Sequence, residues 1–342
     1  MVRPSHSRAA WDCVLKEMAD LLFAVNATAS IVILVAIGYV LKKLGMLDEK
    51  VAKVLNRLVF RLFLPAMLFL NIYKIESLAD VDFSFVWYAV GATLVLFAVA
   101  LVAVFLFTKE NAKRGALLQA SFRANYALVG IPLATSLFGT EGAIAATVLS
   151  AFLIPVFNAL AVVALSVFSA DKKPSVKGIF IGILKNPLIQ SIALGFAVLG
   201  VRALFAVWGV SFRLADIEPV YKTLNSLSSV ATPLALLVLG AQFELSAIPE
   251  LKKYIIFGVA ARNLVAPLAG LTVAYLFGCF DGAHFATFVA VFCTPVAVSS
   301  VPMAQEMNAD VSLAGQLVVW STLFSVISIF FASYVLKALG VF

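Results

Sequence analysis

Ten stretches of the chain are long and apolar enough to read as helices that cross a lipid bilayer. They cover residues 20–41, 55–73, 83–107, 115–137, 142–168, 187–207, 223–243, 254–278, 283–305 and 311–339. A helix rises about 1.5 Å per residue, so about 20 mostly apolar residues cross the hydrocarbon layer. The connections are short, and the two longest, 169–186 and 208–222, hold no room for a folded domain. The pattern predicts an all-α integral membrane protein. It divides into an extramembrane segment 1–19, a first set of five helices in 20–168, a basic linker 169–186, and a second set of five in 187–342.

Composition agrees. Of the 342 residues, 63% are hydrophobic and 13% charged, against roughly half and a quarter in soluble domains. The net charge of +7 would suit nucleic acid in a soluble protein. In a membrane protein it reads as Lys and Arg gathered in cytoplasmic loops. With the amino terminus outside, fourteen basic residues fall in inner loops, Lys42, Lys113, Lys172 and Lys252 among them, against eight outside. Both termini are therefore expected outside, with the lipid bilayer as partner and no nucleic acid. Cys13, Cys279 and Cys293 have no metal-type spacing, and no cofactor is implied.

Five helices per set is an odd number. The second set then enters from the opposite side, and two related halves form an inverted repeat. Asn125 and Pro132 in the fourth segment stand 170 residues before Pro295 and Pro302 in the ninth, and Phe122 and Ala134 stand 170 before Phe292 and Ala304. Pro65 and Pro233 fall in the second segment of each set.

An interior proline removes a hydrogen bond and clashes with the preceding turn. In lipid the freed groups need partners in protein or in a wet cavity. Paired interruptions in corresponding segments are the best sequence pointer to a transport site. Broken helices expose N–H groups carrying partial positive charge, which suit an anion. Pro132 and Pro302 are expected in the first turns of second half-helices, where proline costs least. Asn125 offers donor and acceptor at the first break, Tyr126 follows it, and Thr294, Pro295, Ser299 and Ser300 surround the second. No span centre carries Asp or Glu, whereas Arg123 and Arg262 lie within segments 4 and 8. Each is either an anion-attracting group or a side chain reaching for the membrane surface. Asn71, Asn158, Gln119, Gln242 and Gln316 read as contacts between helices.

The stretches RANYALVGIPLATSLFG (123–139) and TPVAVSSVPMAQEMNAD (294–310) resemble the auxin efflux carrier family, which includes plant PIN-type exporters and bacterial malate or malonate permeases. NPLIQSIALGFAVLG (186–200) and ATPLALLVLGAQF (231–243) are similar to the start of that family's second half. The resemblance implies ten transmembrane helices as a 5+5 inverted repeat, with broken helices 4 and 9 crossing at the substrate site. It also implies a scaffold of helices 1, 2, 6 and 7 and an elevator-like transport unit of the others. By position, Asn125 is the crossover polar residue nearest a substrate carboxylate and Pro295 its counterpart. The short linker matches the bacterial branch, hence a bacterial cytoplasmic (inner) membrane.

The function expected is secondary transport of a small organic anion by an exporter or uniporter, with a homodimer through the scaffold as a further expectation. The alternatives are a sodium-coupled symporter of bile-acid type, for which Gln119 and Glu306 are the nearest ligands, and a non-transporting sensor. An intramembrane enzyme is not expected. Proteolysis would need a serine–histidine pair or two aspartates within the membrane, and His6 and His284 lie near segment ends.

Overall fold

The computed structural model describes residues 29–74, 83–168, 176–209 and 213–342. The segment 1–19 and the first residues of the first apolar stretch lie outside this range. The described apolar stretches are helical apart from breaks at 123–125 and 293–299. The helices are α1 (29–43), α2 (Glu49–Tyr73), α3 (Phe83–Phe107), α4 (Asn111–Phe122), α5 (126–137), α6 (140–167), α7 (Val176–Lys185), α8 (Pro187–Val207), α9 (Glu218–Gln242), α10 (Leu245–Phe277), α11 (Gly282–Phe292), α12 (Ser300–Glu306) and α13 (Val311–Ala338). Seven helical runs among the described residues are long and apolar enough to cross a membrane. One of them, Tyr126–Val167, is divided at Phe138 and Gly139. Gly139 has φ of 59°, a left-handed conformation that glycine adopts without steric cost. Part of the stretch expected as a basic linker, Val176–Lys185, is helical.

Capping residues set several helix starts. Asp48, Asn186, Asp281 and Asp310 precede α2, α8, α11 and α13, and each accepts a hydrogen bond from a first-turn amide. That satisfies one of the otherwise unpaired amino-terminal N–H groups. Arginines close two carboxyl ends. Arg114 donates to Thr108 O at 2.6 Å and to Phe105 O at 2.9 Å at the end of α3, and Arg202 donates to Tyr73 O at 3.1 Å at the end of α2.

The helices form two packed groups. α2 lies against α8 and α9. α4 and α11 pack on the α5–α6 run, α10, α12 and α13 pack on α4, α13 also packs on α10 and α12, and α3 lies against α4 and α6. The outer face of α3 exposes Trp87, Val95 and Leu106, as a lipid-facing helix must. An outward groove of about 550 Å³ between α10 and α13, lined by residues such as Ile256, Val259 and Phe324, is likewise apolar.

α1 and α9 approach backbone to backbone. A Cβ on Gly38 would stand 2.0 Å from Leu237 O, and one on Gly240 2.0 Å from Val35 O. Small residues allow such contact between membrane helices, where no solvent drives them together. Gly240→Val is expected to lower stability by about 1–3 kcal/mol through overpacking, seen as a fall in the thermal midpoint of detergent-purified protein. Gly91→Ala on α3, where nothing lies within 4 Å, is the matched control and should not lower it.

Candidate functional site

α4 ends at Phe122 and α11 at Phe292, 170 residues apart, and each is followed by a non-helical break. The two breaks cross. Ala124 and Val296 form an isolated antiparallel bridge, flanked by Asn125 N–H donating to Pro295 O at 2.8 Å and Ala297 N–H donating to Arg123 O at 3.2 Å. A third bond holds the crossing to α13, where Val296 N–H donates to Ser321 Oγ at 3.0 Å. Proline suits this bridge because Pro295 is needed only as an acceptor, and it disfavours helix at Thr294 before it.

Beyond the crossing the chain returns to helix. Asn125 O accepts from Val129 N–H at 3.0 Å and Gly130 N–H at 3.4 Å, which opens α5 with a π turn. Pro132 stands in the first turn of regular helix after it, and Pro302 stands in the first turn of α12.

The two buried arginines have opposite surroundings. Arg262 sits in a π turn of α10, Ala261–Val265, and is 0% exposed. Its guanidinium donates to Thr294 O at 2.8 Å, Phe122 O at 3.3 Å and Val291 O. These carbonyls close α4 and the α11 side of the crossing, the ends that carry partial negative charge. Arg262 is a clamp on two helix ends and lines neither crossing cavity. Arg123 is 3% exposed and reaches no membrane surface. It donates to Asn158 Oδ1 and Ser299 Oγ at 2.7 Å each, to Met303 Sδ at 2.9 Å and to Ser300 Oγ at 3.4 Å. All four acceptors are neutral.

Two adjoining cavities, of about 200 and 50 Å³, lie between the crossing and α2, the larger extending to α9. Arg123 and Asn158 line the smaller, Thr232 the larger, and Asn71, Asn125 and Ser299 both. The Nδ2 groups of Asn71 and Asn125 are buried without a hydrogen-bond partner. The amides of Tyr126, Ala127 and Leu128, at the start of α5, find no backbone acceptor. The wall therefore holds unpartnered donors together with one positive charge. An unmade bond at a buried polar group costs about 1–3 kcal/mol, so the arrangement favours an anion that accepts several bonds.

Of the residues expected from sequence, Arg123, Asn125, Tyr126 and Ser299 reach the cavities, and Ser300 supports Arg123. The Tyr126 hydroxyl is turned away and donates to Ala146 O at 3.0 Å. The Thr294 hydroxyl donates back to Ala290 O in the last turn of α11 at 2.7 Å. Pro295 contributes its carbonyl, while Pro132 and Pro302 shape half-helices without lining either cavity. Asn71, Asn158 and Thr232 were not expected there. A polar side chain facing inward from the same segments as Pro65, Pro155 and Pro233 was the available signal.

The arginines should respond differently to substitution. Arg262→Gln leaves buried carbonyls unpaired and is expected to cost about 3 kcal/mol or more, with a large fall in thermal midpoint and in folded yield. Arg123→Gln removes a buried charge that has no ionic partner and keeps a donor for Ser299 and Asn158. Its midpoint is expected within about 1 kcal/mol of wild type. The same thermal melts check both.

Comparison with known proteins is consistent with these features. The family model described as "Membrane transport protein" matches residues 23–333. An "Uncharacterized transporter" of Methanothermobacter thermautotrophicus is 24% identical over 88% of this chain and 94% of its own length. Another from Methanocaldococcus jannaschii is 28% identical over 87% of this chain and 94% of its own. A "Putative malonate transporter" of Rhizobium meliloti is 25% identical over 89% of this chain and 93% of its own. With the family model covering most of its length, the chain belongs to the membrane transport protein family, that of the auxin efflux carriers.

Proposed function

We propose that this protein is a secondary carrier of small organic anions, carboxylates foremost, with its site at the crossing. One observation carries the reading. A buried guanidinium, Arg123, has only neutral acceptors and opens on a cavity where Asn71 and Asn125 hold unpartnered amide donors. A carboxylate there would supply the missing charge and accept several of the unmade bonds. The malonate transport in the printed name of the Rhizobium meliloti relative supports the same substrate class.

Alternating access follows the elevator scheme in this reading. The ten apolar stretches form two inverted sets of five. α1, α2, α8 and α9 are the scaffold, which also forms the homodimer contact, and the group around the crossing is the moving unit. The cavity lies on the boundary between the two, where a sliding motion would carry it from one side to the other. The protein resides in a bacterial cytoplasmic membrane with both termini outside. In a cell negative inside, each exported negative charge gains about 2.3 kcal/mol per 100 mV, which favours export.

Sodium coupling finds less support. Of the two residues nearest such a role, Glu306 faces Arg57 at 3.6 Å and Arg61 at 3.5 Å. Gln119 Oε1 is buried without a partner and offers a single oxygen. A sensor without flux would keep the pocket, and transport measurements separate the two. Currents on a solid-supported membrane, recorded on jumps of malate, malonate and indole-3-acetate with and without a sodium gradient, test the carrier. A sodium-independent current for at least one of these is expected. Asn125→Ala should lower its kcat/KM by about tenfold or more, the loss of one charge-assisted bond of about 1.5–3 kcal/mol. Wild-type currents from well-folded Asn125→Ala protein would place the site elsewhere.

A further inference from the structure

We infer that this carrier works by exchange, reorienting readily with an anion bound and slowly when empty. The inference rests on the anion-carrier reading above and adds to it the mode of transport.

The arginines of the chain show what is unusual at position 123. Arg57 and Arg61 face the Glu306 carboxylate. Arg114 and Arg262 lie on backbone carbonyls at helix carboxyl ends, where partial negative charge meets them. Arg123 has neither. Its partners among the described residues are two serine hydroxyls, an amide oxygen and a thioether. The carbonyl that closes α4 at Phe122, next to it in sequence, is already taken by Arg262. The unpartnered Nδ2 groups of Asn71 and Asn125, and the amides at the start of α5 without a backbone acceptor, add to the imbalance.

Any alternating-access cycle passes through a state in which the site meets neither solution. There Arg123 loses whatever water the open cavity gave it. Burying a charge without a partner is strongly unfavourable, and a paired, hydrogen-bonded charge is far less so. With a carboxylate bound, the closed state holds an ion pair with its donors engaged. Without one, it holds a lone cation facing unmade bonds. The empty closed state is therefore the high point of the cycle. A carrier with that profile returns chiefly by picking up an anion on the far side. Ser299, Ser300 and Asn158 keep the guanidinium in the cavity wall, so it does not relieve the strain by swinging to the surface.

Purified full-length protein in liposomes tests this, with radiolabelled malonate as the probe. Valinomycin and potassium clamp the voltage, so charge movement does not limit either arm. Initial uptake into vesicles loaded with unlabelled malonate is expected to exceed uptake into empty vesicles by about tenfold or more, the ratio that a barrier difference of about 1.4 kcal/mol gives. In Arg123→Gln the ratio should fall toward one, whatever happens to KM, because the neutral side chain no longer penalises the empty closed state. Equal rates into loaded and empty vesicles of wild type overturn the exchange inference while leaving the carrier reading intact. A ratio that survives in folded Arg123→Gln removes Arg123 as its cause. Absence of flux in both vesicle types, for malonate, malate and indole-3-acetate alike, overturns the carrier reading and the exchange inference with it.

Discussion

A polypeptide inside a bilayer has no water for its backbone, and that constraint governs the centre of this fold. Two helices stop in mid-course, at Phe122 and at Phe292. Each stop leaves carbonyls on one side and N–H groups on the other without helical partners. Crossing the two breaks lets each supply what the other lacks, through the Asn125–Pro295 and Arg123–Ala297 backbone bonds. Arg262, aimed inward by a π turn, takes carbonyls left on the carboxyl side. The amino side is left less complete, with amides at the start of α5 lacking a backbone acceptor.

That asymmetry is where structure becomes chemistry. Carbonyls are satisfied internally by a fixed cation, while donors are left facing a cavity. Arg123 adds a full charge on the donor side and is held there by neutral groups from α6, α12 and the break before it. A site built this way is incomplete until an anion enters. The buried charge that selects the ligand is, on the same physics, a burden on the empty protein. Selectivity and the mode of transport then share one cause.

Much of this was legible in the chain. The apolar stretches marked the helices, since hydrocarbon thickness fixes their length. Asn125 with Pro132, and Pro295 with Pro302, marked the breaks, because proline in lipid demands an alternative partner. What stayed hidden depended on side-chain direction. Arg123 and Arg262 lie at similar depths in their segments, yet one lines a cavity and the other clamps backbone, a difference set by the crossing and by a π turn that no local pattern announced. Asn71 and Asn158 read as contacts between helices, because their proximity to Asn125 depends on packing between distant segments. Thr294 stands beside the second break, but its hydroxyl bonds back to a carbonyl of α11. In Val176–Lys185 the end lysines obscured a short helix whose interior, GIFIGIL, is apolar.

The most direct measurement is a density map of the purified protein with malonate, recorded beside one without it. An anion density is expected between α2 and the crossing, in contact with the Arg123 guanidinium and the Asn125 amide, and absent from the anion-free map. Malonate density at another place, with the crossing cavity unchanged between the two maps, would contradict the assignment of the site.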